Sequence, residues 1–216
     1  MINLLKLIPL TYRGNNLPRD KTETNAKIIQ CMREEFLTYG YEKASLNRVS
    51  AKVGITTAGL YKHFKSKEDM FYYLVKDVLD AFEKIANSNE SQMETDESYD
   101  PFDEDWALFW VDFIFEHYDG VKLLICCSEG SAYEDFEDKL IGYEEEADKR
   151  YSEILANSGK KPKEITDLQW HILATAYVHL IFEIVRHDMT RDEALQHMRF
   201  VSTLLYPGWK EIFGIG

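Results

Sequence analysis

Ser45-Leu-Asn-Arg-Val-Ser-Ala-Lys-Val-Gly54-Ile-Thr-Thr-Ala-Gly-Leu-Tyr-Lys-His-Phe64 is the stretch that decides how this chain folds. Two short helical segments flank Gly54, the residue type that most readily supplies φ > 0 in a tight turn. Ser45 and Thr56 stand where N-cap hydroxyls belong. Leu46, Val49, Val53, Ile55 and Leu60 make an apolar wedge, and Ser50, Ala51 and Ala58 are small enough for two helices to approach closely. The second segment then presents Thr57, Ala58, Tyr61 and Lys62 outward. This is the pattern of a helix-turn-helix, whose second helix enters a DNA major groove. Thr and Ala suit thymine methyls and Lys suits guanine acceptors. The free N–H groups at the helix starts near Ser45 and Thr56 suit phosphates.

Outward from this stretch, charge is divided unevenly. The 216 residues carry a formal net charge of −13, which argues against a nucleic-acid partner for the chain as a whole. Residues 1–66, however, hold eleven Lys/Arg against five Asp/Glu, or +6, leaving −19 on the remainder. Such asymmetry points to two domains with different partners. With 45% hydrophobic residues the chain can bury a core. Cys31, Cys126 and Cys127 have no ligand-like spacing and imply a reducing compartment rather than a disulfide framework. The apolar run Met1–Leu10 contains Lys6, is too short to span a bilayer, and is followed by no small-residue cleavage site. Residues 1–20 therefore read as a leader, with a cytoplasmic location.

Apolar residues recur at spacings of three and four almost throughout, so the expected fold is all-α with about nine helices. A first helix is expected from Thr24 to Gly40, with that glycine as an αL terminus. Ser66 and Asp69 form a capping-box pattern that opens a helix through Ile85. The polar residues 87–99 read as a loop and Asp100-Pro101 as a helix start. An aromatic helix then runs to Gly120, a short one over Val121–Cys127, and a long one from Ser131 to Asn157. Thr166–His187 follows, and a second capping box at Thr190 and Glu193 opens a last helix to about Tyr206.

The segment Thr24–Phe71 resembles the N-terminal domain of the TetR family of transcriptional regulators. The resemblance rests on Ile28, Phe36, Tyr39-Gly40-Tyr41, Ala44-Ser45, Val49 and Gly54-Ile55-Thr56. It rests above all on Leu60-Tyr61-Lys62-His63-Phe64-Lys65-Ser66-Lys67-Glu68. The run around Tyr206-Pro207-Gly208-Trp209-Lys210 also looks like the end of many members. The resemblance implies an N-terminal three-helix DNA-binding head at 21–66, followed by a helical ligand-binding and dimerisation body at 67–216. By position, Ser45, Thr56, Tyr61, His63 and Lys67 would touch phosphates, while Thr57, Ala58, Gly59 and Lys62 would face bases. Tyr61 and His63 also have a core reading. Two residues depart from the pattern: Glu35 stands where the family usually has an apolar residue, and Arg48 where it is often acidic. Arg48 then adds a phosphate contact or alters head packing.

The body is less legible. Trp106, Phe109, Trp110 and Phe113 either line a ligand pocket or fill a bundle core, and so do Tyr133, Phe136, Tyr143, Trp170 and Tyr177. Leu173, Ile181, Ile184, Phe200, Leu204 and Leu205 are candidates for a homodimer interface. His179, Glu183 and His187 share a helix at i±4 and read as interfacial histidines, a pH sensor or a metal set. The acidic excess after Glu134 is a solvated face or an attraction for a cationic inducer. No nucleophile–base pair, carboxylate dyad or Gly-rich phosphate loop stands out, so neither an enzyme nor a cofactor is expected. The expected function is a ligand-responsive transcriptional regulator, a repressor that binds a palindromic double-stranded operator as a homodimer and is released by a small molecule, with no membrane partner. The alternative is a helical protein-interaction module with a degenerate head.

Overall fold

The computed structural model describes residues 23–95 and 104–215, and side chains within those spans except at 89–107. The leader at 1–20 and the Asp100-Pro101 start lie outside the described residues. Among the described residues there are nine helices and no strand: α1 (Glu23–Lys43), α2 (Leu46–Val53), α3 (Thr57–Leu60), α4 (Lys67–Thr95), α5 (Glu104–Glu116), α6 (Tyr118–Cys126), α7 (Phe136–Asn157), α8 (Asp167–Arg186) and α9 (Arg191–Phe213).

These fall into two compact units. The first gathers the described residues up to Ala81 and adds His117–Phe136; the second comprises the described residues of Phe82–Glu116 and Glu137–Gly216. α4 thus contributes to both, and α6 groups with the N-terminal helices.

The core of the first unit is built by the wedge that the sequence marks. Ile28, Met32 and Phe36 of α1, Val49 and Val53 of α2, Leu60, Phe64, Met70 and Phe71 are all buried. Phe71 meets Phe36 and Tyr41 edge-to-face at 5.3 Å, and Tyr133 at 6.1 Å. Glu68 ties the unit together by accepting from the Tyr41 hydroxyl at 2.7 Å and the Ala132 N–H at 3.1 Å. Tyr41 N–H in turn donates to the Cys127 carbonyl at 2.8 Å.

In the second unit Phe82, Phe109, Trp110, Phe113 and Phe182 form one aromatic cluster, with Phe82–Phe113 centroids at 4.7 Å. A second core joins Tyr151, Trp170, Trp209 and Phe213. The capping boxes at Thr166/Gln169 and Thr190/Glu193 are both complete and set the starts of α8 and α9.

Several element boundaries differ from the sequence expectation, each for a local reason. α4 continues through 87–95, because polarity there is not accompanied by any Gly or Pro to break the ladder. Gly40, at φ 73 and ψ 166, is an extended kink rather than an αL terminus, and the chain turns helical again for Tyr41–Lys43. The break after α5 falls at His117, and Gly120 lies inside α6. A Cβ at Gly120 would sit 2.9 Å from Val78 Cγ1, so this glycine serves the close approach of α6 to α4. α7 begins at Phe136 rather than Ser131. The Ser131 hydroxyl accepts from Tyr133 N–H and Glu134 accepts from Gly130 N–H, local bonds that compete with a helical start. α9 passes through Pro207 to Phe213. Thr203, whose carbonyl loses its helical N–H partner at Pro207, is exposed, as is Pro207.

Candidate nucleic-acid interface and effector cavity

α2 and α3 are held by their caps and by one polar bridge. The Ser45 hydroxyl accepts from Arg48 N–H at 3.4 Å, a long bond. Thr56 Oγ1 accepts from Gly59 N–H at 3.0 Å. Gly54 takes φ 86 and ψ 28, and its N–H donates to Ser50 O while closing α2. The Thr57 hydroxyl donates to Asn47 Oδ1 at 2.8 Å and lies 3.2 Å from Ser50 Oγ, which locks α3 against α2. Asn47 was not among the expected site residues; nothing in the apolar pattern marks a residue that acts by bridging.

Ala58, Tyr61 and Lys62 are left on the outer surface of α3 and the turn after it, with Tyr61 48% exposed. Gly59 and His63 are half-buried. Lys67, at the start of α4, donates to the Glu42 carbonyl at 3.1 Å and stands 4.7 Å over the Tyr41 ring. Partial burial lowers its pKa from the ordinary lysine value against the opposing pull of Glu35, Glu42 and Glu68.

Glu35 and Arg48, the two departures from the family pattern, explain each other. Glu35 is fully buried, and its Oε1 accepts from Ser45 N–H at 2.8 Å and from Arg48 Nε at 2.8 Å. Arg48 also donates to the Lys43 carbonyl at 3.0 Å and stacks 4.1 Å over Tyr39. The bond to Glu35 raises its pKa above the ordinary arginine value. Arg48 therefore works in head packing, pinning the start of α2 to α1.

The second unit contains a cavity with an empty volume of about 500 Å³. Of the expected ligand residues, Trp110, Tyr143 and Tyr177 line it. Five others are placed elsewhere. Phe109 and Phe113 pack in the adjoining aromatic cluster. Tyr133 and Phe136 are buried in the first unit, and Trp170 belongs to the Tyr151–Trp209–Phe213 core. The side chain of Trp106 lies outside the described residues. The remaining wall comes from Phe82, Ile85 and Ala86 of α4, Leu140 and Glu144 of α7, and Val178, Ile181 and Phe182 of α8. Helical spacing marks a buried row but does not distinguish a row facing a void from one facing a neighbour, so these were missed.

The dimer candidates divide in the same way. Ile181 and Ile184 are buried within the second unit, and Leu173 and Leu205 are half-buried against its second core. Phe200 and Leu204 are exposed at 66% and 61%, and α8 adds exposed Leu168 and Ile172, which the sequence reading did not select. Around the histidines, Arg186 holds Glu137 with both carboxylate oxygens at 2.5 and 2.6 Å and reaches Glu183 at 3.4 Å. His187 pairs with Glu183 at 2.8 Å and His179 approaches Glu137 at 3.5 Å. Among the described residues no group of three or more His, Cys, Asp or Glu is placed to hold a metal ion.

Residues 28–74 match the family model described as bacterial regulatory proteins, tetR family. An HTH-type transcriptional regulator of Staphylococcus aureus (strain USA300) is 36% identical over 64 residues, 30% of this chain and 35% of that protein. The chain thus matches about a third of the length of its curated relatives. Among solved structures, AibR in complex with isovaleryl coenzyme A and operator DNA aligns with a TM-score of 0.58 at 16% identity, covering 86% of this chain and 99% of that one. The fatty acid degradation regulator FadR from Bacillus halodurans aligns at 0.55 and 15% identity, covering 88% and 98%. These likenesses show the fold over the 86–88% of the chain that they cover, while the sequence match lies at residues 28–74. Capped α2 and α3, the Gly54 turn and the matched segment together make residues 28–74 similar to the bacterial regulatory proteins of the tetR family.

Proposed function

We propose that this protein is a ligand-responsive transcriptional regulator that represses by binding a palindromic operator as a homodimer and lets go when a small molecule occupies the body. The observation that carries the reading is the outer surface of α3, where Ala58, Tyr61 and Lys62 stand free beside two capped helix starts. Ala58, Gly59, Lys62 and the methyl of Thr57 read bases in this proposal; Ser45, Thr56, Tyr61, His63 and Lys67 hold phosphates. The cavity of the second unit supports the effector site, and the exposed rows Leu168/Ile172 and Phe200/Leu204 support the second copy. α8 is long and apolar enough to cross a membrane, but Trp170, Ala174, Tyr177, Val178, Ile181 and Phe182 are buried in the unit. A cytoplasmic, non-enzymatic protein follows from this reading.

Fluorescence anisotropy on an operator selected from random duplexes tests it. Affinity should fall linearly on a log–log plot against salt, as counterion release requires. Lys62→Ala should relax base preference by about 1–3 kcal/mol at one position, whereas Lys67→Ala should weaken all sequences alike. If both variants keep wild-type affinity and preference, the docking face is wrong.

A further inference from the structure

We propose that the cavity in the second unit takes a compact apolar organic cation, held by aromatic faces and by the carboxylate of Glu144. This rests on the reading of that cavity as the effector site and names the class of effector.

Among the described residues the wall is apolar and aromatic with a single acid, Glu144, and no lysine, arginine or histidine. A ligand anion would find no positive partner among these residues. Trp110, Tyr143, Tyr177 and Phe182 line it with aromatic rings, and the negative quadrupole of a ring face attracts a cation most strongly where water is excluded. One turn along α7 stands Asp148, which is buried and whose Oδ2 has no hydrogen-bond partner among the described residues. Burial pushes Glu144 up to about 7, with no basic group opposing it, and burial beside Glu144 pushes Asp148 well up as well. Two carboxyls thus share a poorly solvated site with no positive charge among the described lining residues. A ligand that brings that charge is favoured over a neutral one of equal shape.

Proton balance follows directly. A permanent cation selects the ionised form of Glu144, so binding at neutral pH releases a fraction of a proton to solvent. The other ionisable groups on the wall are the phenols of Tyr143 and Tyr177, with Asp148 behind Glu144 on the same helix. Among the described residues, the wall residues from α4, α5 and α8 other than Tyr177 carry no titratable side chain.

The test is calorimetric titration of the full chain with three probes of similar size: benzyltrimethylammonium, its neutral carbon isostere neopentylbenzene, and octanoate. Benzyltrimethylammonium should bind, and its affinity should rise roughly tenfold from pH 6 to pH 8 as Glu144 ionises. Glu144→Gln should weaken it by about tenfold or more and flatten that pH dependence, while neopentylbenzene binding changes less than about twofold. The neutral probe reports that the variant cavity is intact, and the pH series on the wild type needs no variant. Binding of neopentylbenzene or octanoate without benzyltrimethylammonium overturns the cation while leaving the cavity as effector site. Equal losses for both aromatic probes in Glu144→Gln reduce Glu144 to a shaping residue and overturn the proposal. Failure of all three probes to bind removes the cavity as effector site together with the cation.

Discussion

Glu35 and Arg48 show how a pair of unusual residues can be silent singly and intelligible together. A buried carboxylate is costly unless paired and hydrogen-bonded. Here one oxygen receives Ser45 N–H and the Arg48 guanidinium, while Oε2 is buried with no hydrogen-bond partner among the described residues. Removing Arg48 would leave the carboxylate with the Ser45 amide alone. Arg48→Ala should lower the melting temperature by at least about 3 °C, a span that corresponds to roughly 1 kcal/mol in a chain of this size. Replacing both members, Glu35→Leu with Arg48→Ala, should recover most of the loss, because an apolar pair needs no counter-charge. Melting curves of the single and double variants decide this; losses that simply add would mean that the two residues act separately. The arginine is half-exposed and could have been a phosphate contact, so the direction of its side chain was beyond the sequence.

Elements were legible wherever a local chemical signal set them and obscure where packing did. The hydroxyls at Ser45, Thr56, Ser66 and Thr190 each mark a helix start in the sequence, and each accepts the expected amide in the structure; Thr166 caps α8 in the same way. Positions 87–95, by contrast, look like a loop because composition reports exposure, not backbone conformation. The grouping of α6 with the N-terminal helices carries Tyr133 and Phe136 away from the cavity, and it rests on non-local contacts such as Glu68 with Ala132. Gly120 illustrates the same limit, since one residue type serves both termination and close packing. Glycine in a helix interior is ordinarily improved by alanine by about 1 kcal/mol. At 120 the added methyl would press on Val78, a β-branched side chain with little rotamer freedom. Gly120→Ala should therefore destabilise, on the order of 1 kcal/mol net of the propensity gain. Adding Val78→Ala should then cost less than it does in the wild type. Chemical denaturation of the four proteins measures it, and a stabilised Gly120→Ala would refute the close approach.

At the scale of the whole molecule, two features of the second unit require something that one protomer does not hold. The first is apolar surface. Phe200 and Leu204 lie one turn apart on α9, and Leu168 and Ile172 one turn apart on α8, all exposed. If a second copy covers them, Phe200→Asp with Leu204→Asp should yield a monomer by sedimentation and should cost operator affinity through loss of the paired head. An unchanged sedimentation coefficient would place the dimer contact elsewhere.

The second feature is the charge stored at Glu144, and it makes stability and ligand binding opposed functions of pH. An ordinary glutamate titrates near 4.3, and in the folded protein burial holds Glu144 at about 7. The folded state therefore binds the proton more tightly than the unfolded chain. Its contribution is fully present below the unfolded value and is lost as pH rises through about 7. Between pH 5 and 8 the wild type should lose roughly 2–3 kcal/mol from this group. Glu144→Gln keeps the shape without the charge, so its melting temperature should depend less on pH and should exceed that of the wild type at pH 8. The difference between the two proteins reports Glu144 together with Asp148, whose carboxyl Glu144 helps to raise, and cancels the titrating groups that do not interact with them. A difference that stays constant from pH 5 to 8 would mean that the carboxyl does not titrate in the cavity wall. In the wild type at pH 8, saturating benzyltrimethylammonium should raise the melting temperature by supplying the missing charge, and it should do far less at pH 5, where the proton already neutralises the site. Acid and cation would then be interchangeable stabilisers of one carboxyl, and a site less stable when empty at working pH is one that a ligand can bias.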